Sequence, residues 1–447
     1  MAQSFKLPDP RPLITLIFMG HVDAGKSTTC GYILVETGQV DQRSLEKYEK
    51  EAIENNRSSW YYAYIMDINE EEREKGKTTE VGQAKFDIGD RRFAILDAPG
   101  HKSFVPEMVG GAAQADVGIL IVSARRGEFE AGFENGGQTQ EHALLAKTLG
   151  VNSLIVAVNK MDEPSVAWSE ERYEAIVQKL TSFLRSNGYN VKTDVFFLPI
   201  TGLSGDNIKL NPGVKSNPNY SPAAEWCKDK PTLFELLSSL PLPARNPSAP
   251  LRVTLSGGYR GGSLMLVGKV VAGTVVSGQS ALLMPGNVPV KVNAVVIDGE
   301  EFTHGKPGEH VELKVSGADD SRVSRGQVLC GLEHPVPVSD RVVVQFFLVD
   351  ALEHKPLFTA GYRAIFHIHT AVVECEIELL LETLSKASKA VTKKPKFAKV
   401  GMIVKAVLRL DAPQPLEPFV ETPILGRFTI RDEAKTVAIG KITKVLA

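Results

Sequence analysis

The octapeptide Gly20-His21-Val22-Asp23-Ala24-Gly25-Lys26-Ser27 is a G-x-x-x-x-G-K-S phosphate loop, and its flanks constrain everything around it. The apolar run Leu13 to Phe18 reads as a buried strand entering the loop, and Thr28 to Thr37 as the start of a helix leaving it. A strand that turns into a helix through glycines can wrap its backbone N–H groups around phosphates. Lys26 then supplies a cation for the β- and γ-phosphates, and the Ser27 hydroxyl is a ligand for Mg²⁺. Asp23, Ala24, Gly25 and Thr28 complete the expected nucleotide-binding loop. The bland competitor is a glycine turn with a surface lysine, and the strand–helix context argues against it.

Three later segments, each behind an apolar run, choose the base. Asp97-Ala98-Pro99-Gly100-His101 follows Phe93 to Leu96, placing the Asp97 carboxylate at a strand end for Mg²⁺ and the Gly100 N–H toward a γ-phosphate. Asn159-Lys160-Met161-Asp162 follows Leu154 to Val158. The Asp162 carboxylate can accept from both the guanine N1–H and the exocyclic amine, a pair that adenine does not present. Asn159 is expected on the base edge and the Lys160 stem over the ring face. Thr201-Gly202-Leu203 follows Val195 to Ile200 and offers a backbone N–H to the guanine O6. Alone, each segment is a common turn. In this order they specify guanine.

Between the first helix and Asp97 lies Glu70-Glu71-Glu72-Arg73-Glu74-Lys75-Gly76-Lys77, a highly charged stretch followed by Thr78. A solvated helix end is one reading. The functional one has Thr78 closing on Mg²⁺ and the γ-phosphate only while GTP is bound, so that hydrolysis releases the segment. His101 is the candidate catalytic residue, placing the attacking water, because phosphoryl transfer depends on positioning and charge stabilisation.

From Leu13 to about Leu240, apolar runs alternate with helix-like stretches, the pattern of an α/β domain with a mostly parallel sheet and helices on both faces. Gln39 to Tyr64 reads as a helical insertion. Pro241 to Pro247 breaks the alternation, and short Val-rich runs separated by glycines follow, with a second break near Pro335 and Pro337. The expected domains are 1–240 for GTP binding and two all-β barrels, 241–335 and 336–447. A net charge of −2 gives no global attraction to nucleic acid, so no DNA partner is expected and ribosome contact must come from local patches. Lys386 to Lys399 is such a patch, or simply a solvated loop. Four cysteines without metal-ligand spacing fit a reducing compartment. Leu13 to Met19 is too short to span a membrane, so no membrane partner and a cytoplasmic location are expected.

The motif residues resemble the translational GTPases of the elongation-factor type, and within them the eukaryotic polypeptide-chain release factor GTPases. The segments that carry this are Glu74 to Thr78, Gly100-His101-Lys102-Ser103-Phe104-Val105-Pro106, Gly127-Glu128-Phe129-Glu130 leading into Gly136-Gly137-Gln138-Thr139, Gly361-Tyr362 with His367 to Thr370, and Gly426 to Asp432. The resemblance covers essentially the whole chain. It implies GTP hydrolysis to GDP with Mg²⁺, stimulated by the ribosome, and delivery of a class-1 release factor at stop codons. It also assigns partner binding to the last barrel, at Gly426, Arg427, Phe428, Ile430 and Arg431, although Phe428 and Ile430 alternate as core positions of a strand would. Ribosome-rescue GTPases and aminoacyl-tRNA-delivering elongation factors are similar enough to remain as alternatives. Thr79, Glu107, Thr201 and Ala434 depart from the release-factor pattern. Many such proteins meet the poly(A)-binding protein through a long N-terminal extension; this chain begins almost at the phosphate loop, and that partner is not expected.

Overall fold

The structure, a computed structural model, describes residues 5–67, 78, 81–101, 104–134, 137–151, 153–385, 390–433 and 435–446. The charged stretch Glu70 to Lys77, together with Thr79, Lys102, Ser103, Gly136, Lys386, Lys389 and Ala434, lies outside the described residues. Two compact units emerge. One comprises Arg11–Lys147 and Val151–Pro243; the other comprises Ala244–Ala447 with Met1–Pro10 and Thr148–Gly150.

The first unit is built on six strands: β1 (Leu13–Gly20), β2 (Gly82–Ile88), β3 (Arg91–Asp97), β4 (Val117–Ser123), β5 (Ser153–Asn159) and β6 (Val195–Pro199). They lie in the order β2-β3-β1-β4-β5-β6, all parallel except the edge strand β2, which runs antiparallel to β3. Strands β1 and β4 are buried at every position, as expected where helices cover both faces of a parallel sheet. Ile14, Leu16, Phe18, Ile95, Ile119, Ile121, Ile155 and Leu198 make one core face with Ile33 and Leu34 of helix α1 (Lys26–Glu36). The strand after β1 in the parallel order lies on one side of it and β4 on the other, so the chain reverses its winding there. Ligands in such sheets bind at that switch point, beyond the strand carboxyl ends. The insertion expected at Gln39 to Tyr64 is largely helical, with Gln42–Glu54 capped by Asp41, whose side chain accepts from the Ser44 N–H at 2.9 Å.

The second unit holds two barrels. Strands β7 (Arg252–Gly261), β8 (Ser263–Ala272), β9 (Val275–Val276), β10 (Ser280–Met284), β11 (Val288–Ile297), β12 (Glu300–Phe302), β13 (His304–Gly305), β14 (His310–Ser316) and β15 (Val328–Gly331) form the first. The order β10-β15-β7-β8-β14-β11 closes on itself through β10–β11 pairing, which leaves the ring without an open edge. In the second barrel are β16 (Val338–Leu348), β17 (Arg363–Ile368), β18 (Ala371–Ser385), β19 (Val391–Lys393), β20 (Met402–Pro415), β21 (Arg427–Asp432) and β22 (Lys435–Val445). There β17-β21-β22-β16-β20-β18 closes through β17–β18. Each ring alternates inward apolar residues with outward ones; β16 buries Val342, Val344, Phe346 and Leu348 in turn.

The barrels are joined by buried polar contacts. Arg252 of β7 and Glu417 pair at 2.5 Å with side chains only 7% and 4% exposed, and Arg252 also donates to the His334 carbonyl at 2.8 Å. Thr370 donates to the Leu255 carbonyl at 2.7 Å, and Arg325 to the Thr370 carbonyl at 2.9 Å. All four cysteines are buried free thiols.

Candidate nucleotide site

Parallel register brings the chemistry-bearing residues to one edge of the first unit. Phe18 pairs with Asp97, Gly20 with Ile121, Ser123 with Asn159, and Val158 with Pro199, so the loops that follow β1, β3, β4, β5 and β6 open side by side. Between them is a cavity of about 470 Å³. Asp23, Gly25, Lys26, Ser27, Thr28, Thr78, Gly100, His101, Asn159, Lys160, Asp162, Thr201, Gly202 and Leu203 all line it. Two expected residues stand just behind that wall. Asp97 is fully buried at the end of β3, and Ala24 turns its carbonyl toward Asn159.

At the phosphate end, Gly25 has φ +97°, and a Cβ there would collide with the Asn159 side chain. A Cβ on Gly100 would lie 3.0 Å from the Val22 backbone nitrogen, so glycine is what lets the Asp97–Gly100 loop approach the phosphate-loop backbone. Lys26 is 7% exposed and donates to the His21 carbonyl at 2.9 Å. Burial pushes its ammonium down from the ordinary lysine range, against the raising effect of Asp97 and Asp23. The loop ends at the N-terminus of α1, where free N–H groups and the helix dipole favour an anion.

Ser27 Oγ and Thr78 Oγ1 lie 3.3 Å apart, and the Thr78 hydroxyl donates to Asp67 Oδ1 at 3.2 Å. Hydroxyl and carboxylate oxygens gathered this way suit a small hard cation such as Mg²⁺. Asp67 is a residue the sequence reading missed. It ends the short helix Ala63–Met66, and its only signal was an acidic residue at the close of the helical insertion.

At the base end the structure adds a second role to Asn159. Asn159 Oδ1 accepts from the Lys160 N–H at 2.8 Å and the Gly202 N–H at 2.7 Å, while its Nδ2 donates to the Ala24 carbonyl at 2.8 Å. These bonds tie three backbone segments together, and the second N–H of Nδ2 stays available to the base edge from the cavity wall. The Gly202 N–H is thus engaged by Asn159, and Leu203 beside it lines the cavity. Asp162 is an exposed residue of the cavity wall, and partial desolvation there raises its carboxyl above the usual range. Lys160 Nζ donates to Glu128 Oε2 at 2.8 Å.

Other cavity residues were not singled out in the sequence. Ser59 and Trp60 of the insertion, and Arg125, Glu128 and Glu163 after β4 and β5, line the same cavity. His142, on the helix Gln138–Leu149, is fully buried and its Nδ1 accepts the Gly20 N–H at 3.1 Å, which fixes the entry to the phosphate loop. No helix among the described residues is long and apolar enough to cross a membrane.

In the segment expected to bind the partner, most side chains are buried. Phe428 and Ile430 point into the barrel core, and Arg431 is 4% exposed, donating to Thr436 Oγ1 at 2.9 Å. Strict alternation would put Arg431 on the outside. Its pairing with β17 is unshifted, Arg431 opposite Ile365 and Thr429 opposite His367, so Arg431 does lie on the outer face, where it is buried together with Thr429 and His367. Gly426 is buried, whereas Arg427 is partly exposed, its guanidinium 4.9 Å from the Phe419 ring centre.

The sequence profile of the Elongation factor Tu GTP binding domain matches residues 11–255, and that of the GTP-eEF1A C-terminal domain-like family matches residues 347–443. A protein of Dictyostelium discoideum named eukaryotic peptide chain release factor GTP-binding subunit is 46% identical over 98% of this chain and 77% of its own length. This chain belongs to that family. Relatives of the same name in Zygosaccharomyces rouxii (46% identical) and Schizosaccharomyces pombe (45% identical) are matched over 97% of this chain. The chain spans 64% of the length of each of those two. The GTP-bound S. cerevisiae Ski7 GTPase-like domain has a TM-score of 0.75 and 97% coverage of both chains; at 18% identity it shows the shared fold alone. The family is a GTP-binding one, in line with the loops that frame the cavity.

Proposed function

We propose that this chain is a GTP-hydrolysing switch of translation termination. With GTP bound it carries a class-1 release factor, the protein that reads stop codons, to the ribosome. Hydrolysis stimulated by the ribosome then lets that factor settle into the peptidyl-transferase centre. The observation that carries this reading is the 46% identity, along 98% of the chain, to a relative named for peptide chain release. Ribosome rescue and aminoacyl-tRNA delivery have less support, since the matched relatives carry the release-factor name over the same length. The place of work is the cytoplasm, with no membrane or DNA partner.

In the reaction, water attacks the γ-phosphorus and the bond to the β–γ bridging oxygen breaks, giving GDP and phosphate. Lys26 exchanges the His21 carbonyl for the β- and γ-phosphates, whose charge favours the buried ammonium. Ser27, Thr78, Asp97 and Asp67 would hold Mg²⁺, which supplies charge neutralisation on the phosphate oxygens. Asp162 accepts the two guanine donors, and His101, on the wall next to Gly100, orients the water. Loss of the γ-phosphate removes what Thr78 closes on, and so frees its segment. Release-factor binding belongs to the last barrel, with Arg427 as the surface-accessible member of its segment.

The test uses the full chain with purified class-1 release factor and ribosomes programmed with stop or sense codons. Release-factor binding in the presence of a non-hydrolysable GTP analogue, and faster GTP turnover at stop codons, are expected. His101→Ala should lower stimulated turnover by about 10²–10⁴-fold while leaving the Kd for GTP within about twofold. Tight binding to aminoacyl-tRNA with none to the release factor would reject termination in favour of elongation.

A further inference from the structure

The side chain of Lys160 is committed before any nucleotide arrives. Its φ of +63° is a left-handed conformation that few non-glycine residues adopt, so the turn fixes the direction in which the side chain leaves the backbone. Its ammonium ends on Glu128 Oε2, which also accepts from Ser123 Oγ at 2.7 Å. The other oxygen, Oε1, accepts from Arg125 at 3.1 Å. Ser123 and Asn159 are register partners at the ends of β4 and β5, so Glu128 reaches from the loop after one strand to the loop after the next.

The carboxylate is itself held from behind. The preceding Gly127 N–H donates to Glu130 Oε2 at 2.8 Å, and Glu130 is gripped by Arg172 at 2.9 Å. Burial alone would raise the Glu128 carboxyl, but the hydrogen bonds from Lys160 and Ser123, and the charges of Lys160 and Arg125, outweigh it and hold it below the usual range. Lys160 and Glu128 are 28% and 32% exposed, a setting drier than a surface ion pair.

We propose that Glu128 is a positioning residue for the nucleotide base: its carboxylate holds the Lys160 ammonium so that the aliphatic stem already lies along the face guanine will occupy, which slows nucleotide release. It acts through Lys160. A free lysine side chain has substantial rotamer entropy to lose on ordering, and the anchor removes much of that loss from the binding step. The inference rests on the guanine-nucleotide reading above.

The experiment measures dissociation of a fluorescent GDP, and of a fluorescent non-hydrolysable GTP analogue, from the full chain by stopped flow. Glu128→Gln should speed release of both nucleotides by about two- to fivefold, because it alters the base end and not the phosphates. In a Lys160→Met background, where the stem remains and the charge is gone, Glu128→Gln should add nothing. An equal acceleration in both backgrounds would show a general loosening of the fold and overturn the proposal, as would an unchanged release rate in Glu128→Gln alone. A wild-type chain that binds no guanine nucleotide would instead remove the underlying reading, an outcome distinguishable from either.

Discussion

Replacing Asn159 by alanine separates a pin from a base contact. The side chain makes three hydrogen bonds at 2.7–2.8 Å, to Ala24 O and from the N–H groups of Lys160 and Gly202, and it is 3% exposed. Each such bond contributes about 1 kcal/mol net, and more where the abandoned partner stays buried. Loss of all three should cost the empty protein about 3 kcal/mol. For a unit of this size, about 2–4 °C of melting temperature is expected per kcal/mol, so the transition should fall by about 6–12 °C. Nucleotide affinity should fall as well, because the phosphate loop, the Asn159–Asp162 loop and the Thr201–Leu203 loop lose their common tie.

Asp162→Asn provides the contrast. Partial desolvation raises the Asp162 carboxyl, so the ionised group burdens the empty folded state above its folded pKa, and that burden fades as pH falls through it. At neutral pH the asparagine variant should therefore melt no lower than the wild type, and the difference between them should vanish in acid. GTP binding should nonetheless weaken and xanthosine triphosphate, with a carbonyl in place of the amine, should become the better ligand. Calorimetry of the full chain without nucleotide, paired with titration of each nucleotide, reads both effects. An Asn159→Ala protein that melts like the wild type and has lost only affinity would refute the pinning argument.

Two further expectations concern the barrels. His367 and His369 are buried and held neutral by that burial, each with its pKa pushed down to about 4, and Arg431 and Arg325 add to the effect at His367. The unfolded chain therefore binds more protons, and stability falls as pH drops from about 6.5 to about 4, by up to about 1.4 kcal/mol per pH unit per histidine; His369→Gln should flatten that slope in acid unfolding monitored by circular dichroism. Truncating one side of the buried Arg252–Glu417 pair should destabilise the barrel unit by about 3–5 kcal/mol, while the double change Arg252→Met with Glu417→Leu should recover most of it in denaturant unfolding, because no uncompensated charge then stays buried.

What the sequence made legible was local. The phosphate loop, the Asp97–His101 segment and the Asn159–Asp162 segment each sit directly behind an apolar run, and a strand followed by a turn is enough to place them at a sheet's carboxyl edge. The tying role of Asn159 was not local: its partners Ala24 and Gly202 are 135 and 43 positions away. Asp67, Trp60 and Glu128 joined the site only when the insertion and the loop after β4 folded over the cavity. In the last barrel, the alternation of Phe428 and Ile430 did mark core positions, yet it could not reveal that the outer face carrying Thr429 and Arg431 is buried as well.

The two ends of the cavity hold their lysines in physically different ways, and the difference bears on how a switch works. Lys26 rests on a neutral carbonyl, the kind of partner a phosphate oxygen replaces with a gain, since a charge-assisted bond is about twice as strong. Lys160 rests on a carboxylate that three donors share, a partner that nothing in a guanine ring could better. The phosphate end is therefore poised to exchange partners when a nucleotide arrives, and Thr78 with its hydroxyl on Asp67 has the same character. The base end is set in advance by Asn159, Glu128 and the backbone. Such a site can feel the loss of a γ-phosphate without letting go of the base, which is what a GTPase needs if the GDP state is to be a distinct conformation and not merely an empty one.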